Sequence, residues 1–207
     1  MQLKKSVRYF IEFSYNGKNY CGWQSQPHML SIQEVLEKTL STLFRESISL
    51  VGAGRTDAGV HSKQMFAHFD INQIIEDDFV KKINSFLPKD IAIHHFHKVK
   101  DDAHARFDAT ERTYKYYINF QKNPFLYEFS YYLYQKLDVS LLNEACEILK
   151  QYSDFQCFSK TKTDVKTYIC DIKNAFWEEK DNQLIFTITA DRFLRNMVRA
   201  IVGTMLN

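Results

Sequence analysis

Paired cysteines, long apolar runs, a charge excess and flexible linkers are all missing from this 207-residue chain. Its four cysteines, Cys21, Cys146, Cys157 and Cys170, are scattered with no CxxC spacing. That pattern indicates neither a zinc ribbon nor a redox pair, and it predicts reduced thiols used in packing. No apolar run is long enough to span a bilayer, and Met1-Gln2-Leu3-Lys4-Lys5 leads straight into a predicted strand instead of a signal-peptide core, so a cytoplasmic location is expected. No stretch rich in Pro, Gly or Ser divides the chain, which argues against independently mobile domains. The formal net charge of +2 does not by itself announce a nucleic-acid binder. What is present is an ordinary globular composition, 45% hydrophobic and 25% charged, in a chain long enough to bury a substantial core as one domain or two small fused halves.

Glycine is scarce too, yet three of the six glycines fall within eight residues, in Gly52-Ala53-Gly54-Arg55-Thr56-Asp57-Ala58-Gly59-Val60-His61. Glycine serves where the chain takes positive φ or comes close to a ligand, so this density predicts a tight, exposed turn with Asp57 at its apex. A phosphate-cradling loop would need GxxxxGK[ST] opening a helix, but no Lys follows these glycines and the next segment alternates like a strand. A dinucleotide fingerprint fails because the third glycine is displaced. An aspartic-protease site needs two carboxylates sharing a proton, and only one copy of Asp57-Ala58-Gly59 is found. A hairpin loop whose Asp caps its own amides accounts for the glycines and Thr56-Asp57. It leaves unexplained why Arg55 and His61 crowd the same few residues.

The chain order predicts an α+β fold. Val7–Tyr15 alternates as a strand and ends at Asn16-Gly17, a turn signal. Ser31-Ile32-Gln33-Glu34 is a capping box opening a helix with Ile32, Val35, Leu36 and Leu43 on its inner side. Strands at Ile48–Val51 and Gln64–Asp70 bracket the glycine loop, a helix at Asp77–Ser85 stops before Pro88, and strands at Ile91–Val99 and Thr113–Phe120 follow. The second half repeats the theme with a helix at Ser140–Gln151, strands at Thr167–Glu178 and Leu184–Ala190, and a last helix from Phe193. Two strand–helix–strand–strand halves, 1–105 and 106–207 with the boundary near Asp102–Arg112, predict paired ferredoxin-like (RRM-like) units sharing a central, mainly antiparallel sheet. Helices would cover one face and the active cleft the other.

The glycine loop resembles the catalytic loop of the tRNA pseudouridine synthase A family. Further stretches match that family in the same order: Tyr15-Asn16-Gly17-Lys18-Asn19-Tyr20-Cys21-Gly22-Trp23-Gln24, Leu87-Pro88-Lys89-Asp90-Ile91, His104-Ala105-Arg106-Phe107, Arg112-Thr113-Tyr114-Lys115-Tyr116 and Phe193-Leu194-Arg195-Asn196-Met197-Val198-Arg199. The resemblance runs over nearly the whole chain. It implies a fold with the active cleft between two such halves, and an isomerase that converts uridines of the tRNA anticodon stem-loop to pseudouridine. It also implies Asp57 as nucleophile, Arg55 as the residue that helps flip the base, Tyr114 as the tyrosine against the uracil, and Arg199 as the basic partner of Asp57. Members work as homodimers on tRNA, so a homodimer is expected. They usually continue past the position of Asn207, so a further stretch completing the last helix and the sheet is expected to be missing.

The chemistry suits those residues. Pseudouridine formation breaks the N1–C1′ bond and rejoins uracil through C5 with no gain or loss of electrons, phosphate or water, so no cofactor is needed. A carboxylate nucleophile divides the reaction into two easier steps, attacking either C1′ or C6, and the sequence leaves both routes open. The target base must be extruded from its stack and held on an aromatic surface, the part suited to Tyr114 with Arg55 at the vacated position. An adjacent guanidinium would keep a partly buried carboxylate charged.

Basic residues cluster in three places. Arg192, Arg195 and Arg199, at i, i+3 and i+7, would share one helix face, where a polyanion and Asp57 are better partners than water. Arg106, Arg112 and Lys115 flank the Tyr114 strand, and Lys160, Lys162 and Lys166 lie in a Thr-rich connection. These stretches resemble tRNA-contacting segments of the family, implying RNA contacts by His104, Arg106, Phe107, Arg112, Lys162, Lys166 and Arg195. Phosphate contacts position an RNA without reading it, so recognition by tRNA shape and a salt-sensitive affinity are expected. His94, His95 and His97 invite a metal reading, but strand alternation splits neighbours between two faces, and no Cys or carboxylate stands at ligand spacing. No metal is expected. A non-catalytic tRNA-binding or RNA-chaperone module remains open at this stage, as does a fragment that neither binds nor catalyses. The first would tolerate replacement of Asp57.

Overall fold

The computed structural model describes residues 6–76, 78–160 and 165–207. The chain forms two compact units, Met1–Ala109 and Thr110–Asn207, each with its own core. Each has a four-stranded sheet, so the predicted α+β class with two strand–helix–strand–strand halves is what forms.

The first unit runs β1 (Val7–Tyr15), α1 (Ile32–Phe44), β2 (Val51–Gly52), β3 (Ser62–Ile71), α2 (Phe79–Phe86) and β4 (Ile91–Lys98). Its strand order is β2-β3-β1-β4, antiparallel throughout, the β-α-β-β-α-β arrangement of a ferredoxin-like unit. Alternation along β1 puts Tyr9, Ile11, Phe13 and Tyr15 in the core, where Ile32, Leu36, Leu40 and Phe44 of α1 meet them. Each fully buried aliphatic side chain of this kind contributes about 1.5–3 kcal/mol. Ser31 caps α1 as predicted, its Oγ accepting the Glu34 amide at 3.2 Å. Helix α2 stops before Leu87, which is extended (φ −74°, ψ 150°) as a residue before proline must be. The predicted first residue of this helix, Asp77, lies outside the described residues.

The second unit runs β5 (Arg112–Asn119), β6 (Tyr131–Tyr132), α3 (Val139–Leu149), β7 (Ile172–Lys180), β8 (Gln183–Ala190) and α4 (Met197–Met205), with one 3₁₀ turn at Gln156–Phe158. The order is β6-β5-β8-β7, with the short β6 pairing parallel to β5. Both units secure an edge strand in the same way. Asn84 of α2 donates to the Ile93 carbonyl and accepts its amide at 2.7 and 2.8 Å, and Asn143 of α3 does so for Trp177 at 3.1 and 2.8 Å. The helix amide thus occupies backbone groups that an edge strand would leave open.

Three predicted elements form differently, each for a local reason. The expected strand Ile48–Val51 pairs only at Val51–Gly52, because α1 takes its amides: Ser41 Oγ accepts from Ile48 at 2.9 Å and Glu37 Oε1 from Leu50 at 2.8 Å. Strand β7 starts at Ile172 instead of Thr167, since the Thr167 hydroxyl accepts the Ile169 amide and the Tyr168 carbonyl accepts the Phe155 amide. The last helix starts at Met197 instead of Phe193, because Asn196 sits in the left-handed region at φ 67°, where a right-handed helix cannot pass. Arg192 and Arg195 therefore precede α4, and the predicted three-arginine helix face does not form.

Candidate active site

The loop between β2 and β3 is an ordered turn held from outside. The Val60 amide donates to the Asp57 carbonyl at 3.2 Å, and Gly59 at the third position has φ 78°, the positive value a type II turn requires there. Asp57 therefore opens the turn, and Ala58 and Gly59 form its exposed tip, which revises the expected apex. Asp57 and Thr56 are half-buried, whereas Arg55 is exposed.

The segment after β1 forms a cradle for this turn. The Tyr15 hydroxyl bonds Thr56 Oγ1 at 2.9 Å, and the Trp23 amide donates to the Thr56 carbonyl at 3.3 Å. At the tip, the Gly59 amide donates to the Tyr20 carbonyl at 3.3 Å, and beyond it the Gly17 amide donates to His61 Nδ1 at 3.1 Å. Gly22 allows the approach: it has φ 102°, and a Cβ there would lie 2.2 Å from the Thr56 carbonyl oxygen. The cradle is itself anchored. Tyr20 donates its hydroxyl to Asp90 at 2.7 Å and the Asn16 amide donates to the Asp90 carbonyl at 2.8 Å, while burial and then Asp90 push the Tyr20 phenol above the usual tyrosine range. On the other side Gln33 of α1 accepts from Gln24 and Ser25 and donates to the Leu50 carbonyl at the entry to β2. Three of the matched stretches, Tyr15–Gln24, the glycine loop and Leu87–Ile91, thus form one hydrogen-bonded assembly.

A second group in the first unit joins three predicted RNA-contacting residues. The His104 and Phe107 rings stack at 4.1 Å, and the Arg106 guanidinium lies 5.9 Å from the Phe107 ring centre. Phe107 is 75% exposed, so this aromatic surface is open. It is braced from below: His68 is buried, its Nδ1 accepts the Ala105 amide at 3.1 Å and its ring meets His104 edge-on at 4.6 Å. Burial, helped by Arg8 and His104, holds the His68 imidazole below its usual range and hence neutral, as an acceptor must be.

In the second unit Tyr114 and Tyr116 lie on the helix-covered face of β5. The Tyr114 ring meets Phe193 edge-on at 4.9 Å. Burial raises the Tyr116 phenol, and the charge of Arg199, an exposed residue of α4, opposes that rise. Arg112 donates to the Asp191 carbonyl at 2.7 Å. Lys166 and Arg195 are exposed, and the Arg195 carbonyl accepts the Lys160 amide, while Lys162 lies outside the described residues.

The four cysteines are free thiols, Cys146 and Cys170 being buried and raised to about 11. The three histidines of β4 divide as strand alternation requires. His94 reaches Ser14 at 2.8 Å, while the His95 and His97 rings lie 5.6 Å apart with His97 Nε2 3.6 Å from Glu12. Gln64, then His97 and His95, hold the Glu12 carboxyl below its usual range. Among the described residues no group of three or more His, Cys, Asp or Glu is placed to hold a metal ion.

A family model described as tRNA pseudouridine synthase matches residues 12–108 and 148–207, taking in the turn, its cradle and α4. The chain belongs to that family. Its similarity to tRNA pseudouridine synthase A of Parabacteroides distasonis is 53% identity over 201 residues, covering 96% of this chain and 80% of the relative. With the namesake protein of Bacteroides thetaiotaomicron it is 54% over 203 residues, 96% and 76% of the two chains. At greater distance, the Clostridium acetobutylicum protein of that name is 38% identical over 205 residues, 98% and 83%. Of the residues now seen to build the synthase-type loop, Tyr15, Gly22, Trp23 and His61 received no role from sequence. For the first three the signal was the Tyr15–Gln24 stretch with its two glycines, which matched the family without an assigned purpose, and for His61 it was the crowding with Arg55 in the glycine loop.

Proposed function

We propose that this chain converts uridines of the tRNA anticodon stem-loop to pseudouridine, with Asp57 as nucleophile. Membership of the family makes it an isomerase of the tRNA pseudouridine synthase type. The observation that carries the finer reading is the Asp57 turn, a turn held by four external hydrogen bonds around a half-buried aspartate, with an exposed arginine two residues before it. A nucleophile held in place before the substrate arrives pays little reorganisation at the moment of attack.

In this reading Arg55 takes the position vacated by the flipped base, Tyr114 receives the uracil, and Arg199 is the basic partner of Asp57. The N1–C1′ bond breaks, a C5–C1′ bond forms, the C5 proton leaves and N1 ends protonated, so the balance closes with no redox partner. Asp57 attacks C1′ or C6 and departs when the C-glycoside is complete. His104, Arg106 and Phe107, with Arg112, Lys162, Lys166 and Arg195, engage the rest of the tRNA, largely through its phosphates and shape. The working form is a cytoplasmic homodimer, a reading supported by the family likeness. Among the described residues no helix is long and apolar enough to cross a membrane.

The test is pseudouridine mapping in an unmodified tRNA transcript by carbodiimide-dependent reverse-transcription stops, with the parent chain and Asp57→Asn. Stops in the anticodon arm that disappear in Asp57→Asn are expected. Stops retained by Asp57→Asn would remove Asp57 as nucleophile, and stops confined to another arm would overturn the substrate region. Light scattering on the purified chain reads the dimer directly.

A further inference from the structure

The four bonds that hold the Asp57 turn are not alike. Two are accepted by main-chain carbonyls, those of Thr56 and Tyr20, and persist under many side-chain changes. At the exit of the turn the acceptor is a side chain, His61 Nδ1, and the donor is the amide of Gly17, a buried residue. A main-chain N–H has no other polarity, so Nδ1 must present its lone pair, and the ring proton of the neutral imidazole sits on Nε2. The bond joins residues 44 apart in sequence and fixes the point where the turn passes into β3. Val60, the residue before His61, is the one whose amide closes the turn on the Asp57 carbonyl.

We propose that His61 is a positioning residue for Asp57. It neither attacks nor moves a proton in the reaction. By accepting the Gly17 amide it sets the exit of the turn, and the Val60–Asp57 bond transmits that placement to the carboxylate. The proposal rests on Asp57 being the nucleophile.

Its test uses two variants on the unmodified tRNA transcript. In His61→Asn the side-chain oxygen falls near the position of Nδ1 and keeps an acceptor for Gly17. In His61→Leu the acceptor is gone. Single-turnover pseudouridine formation is expected to stay within about threefold of the parent for His61→Asn and to fall roughly 10- to 100-fold for His61→Leu, the loss that a misplacement of about 1 Å produces. The tRNA dissociation constant should be unchanged in both. A parental rate for His61→Leu, equal losses in the two variants, or a loss confined to tRNA affinity would each overturn the proposal. Should His61→Leu fail to fold, amide exchange decides: the Gly17 amide is expected to be protected in the parent and in His61→Asn, and rapid exchange in the folded parent would sink the idea. Activity surviving Asp57→Asn would instead remove the nucleophile assignment, whatever the His61 variants do.

Discussion

Gly22→Ala should dislodge the Asp57 turn, and the structure sets the size of the effect. Gly22 has φ 102°, and the new Cβ would stand 2.2 Å from the Thr56 carbonyl oxygen and 3.1 Å from the carbonyl carbons of Thr56 and Asp57. Those are main-chain atoms, so no side-chain rotation relieves the contact. Comfortable non-bonded separations begin near 3.5 Å, so the cradle and the turn must part by about 1 Å. A side chain at positive φ costs about 1–2 kcal/mol, and losing the Trp23 amide bond to Thr56 adds about 1 kcal/mol. The expected destabilisation is thus about 2–3 kcal/mol before any residual clash, a shift that leaves a domain of ordinary stability folded. Gly54→Ala is the internal control. Gly54 has no positive φ and nothing within 4 Å of an added Cβ, so alanine there should be neutral or stabilise by about 0.4–1 kcal/mol through the unfolded chain. Urea unfolding followed by far-ultraviolet circular dichroism at constant m-value reads both. Single-turnover pseudouridine formation should fall about 100-fold in Gly22→Ala. Equal urea midpoints for the two alanine variants, or a parental rate in Gly22→Ala, would refute this account of the cradle.

The other expectations are simpler. Thr187 is 6% exposed and its hydroxyl has no hydrogen-bond partner among the described residues, so Thr187→Val should raise stability by about 1 kcal/mol in urea unfolding, since an unmet buried hydroxyl costs about 1–3 kcal/mol. His68 has its imidazole lowered from 6.5, first by burial. The unfolded chain therefore binds its proton first, and this contribution to stability is fully present above pH 6.5 and lost as pH falls through the lowered value. Urea midpoints from pH 7.5 down to 5 should decline in the parent and decline less in His68→Asn. Asp70, lowered chiefly by its bond from Arg8, acts below 3.8 and so does not blur that window. Phe107→Ala removes the open ring stacked on His104, and tRNA affinity measured by filter binding should weaken by about 1–3 kcal/mol if a base stacks there. The salt slope should stay unchanged, because no cation is lost.

Much of the fold was legible because local pattern and tertiary burial agreed. Strand β1 has the residues its alternation predicted, and Ser31 caps α1 where the capping box put it. Ile48 and Leu50 were read as strand residues, yet β2 starts only at Val51. Their amides are taken by Ser41 and Glu37, and a helix side chain reaching across to a neighbouring segment leaves no period in the sequence. The three arginines failed for a related reason. Spacing alone placed Arg192, Arg195 and Arg199 on one helical face, and a single left-handed residue, Asn196, uncoupled them. Asparagine tolerates that conformation better than most residues, so the Leu-Arg-Asn-Met stretch held a helix-start signal that the charge spacing outweighed.

The site divides along the same line. Asp57 and Arg55 were visible because glycine density forces a turn, and a turn that concentrates charge needs explaining. Tyr15, Gly22, Trp23 and His61 were present in matched stretches but mute, since their purpose lies in contacts such as Tyr15 with Thr56, 41 residues apart, and Tyr20 with Asp90, 70 apart. Helix and strand periods report neighbours two to four positions away and cannot register such pairs. The trace they leave is compositional: in a chain with six glycines, Gly17 and Gly22 bracket Tyr20, and a side chain at either would collide with the main chain of the Asp57 loop. Glycine scarcity is what makes those two positions informative, because both stand where main chain meets main chain.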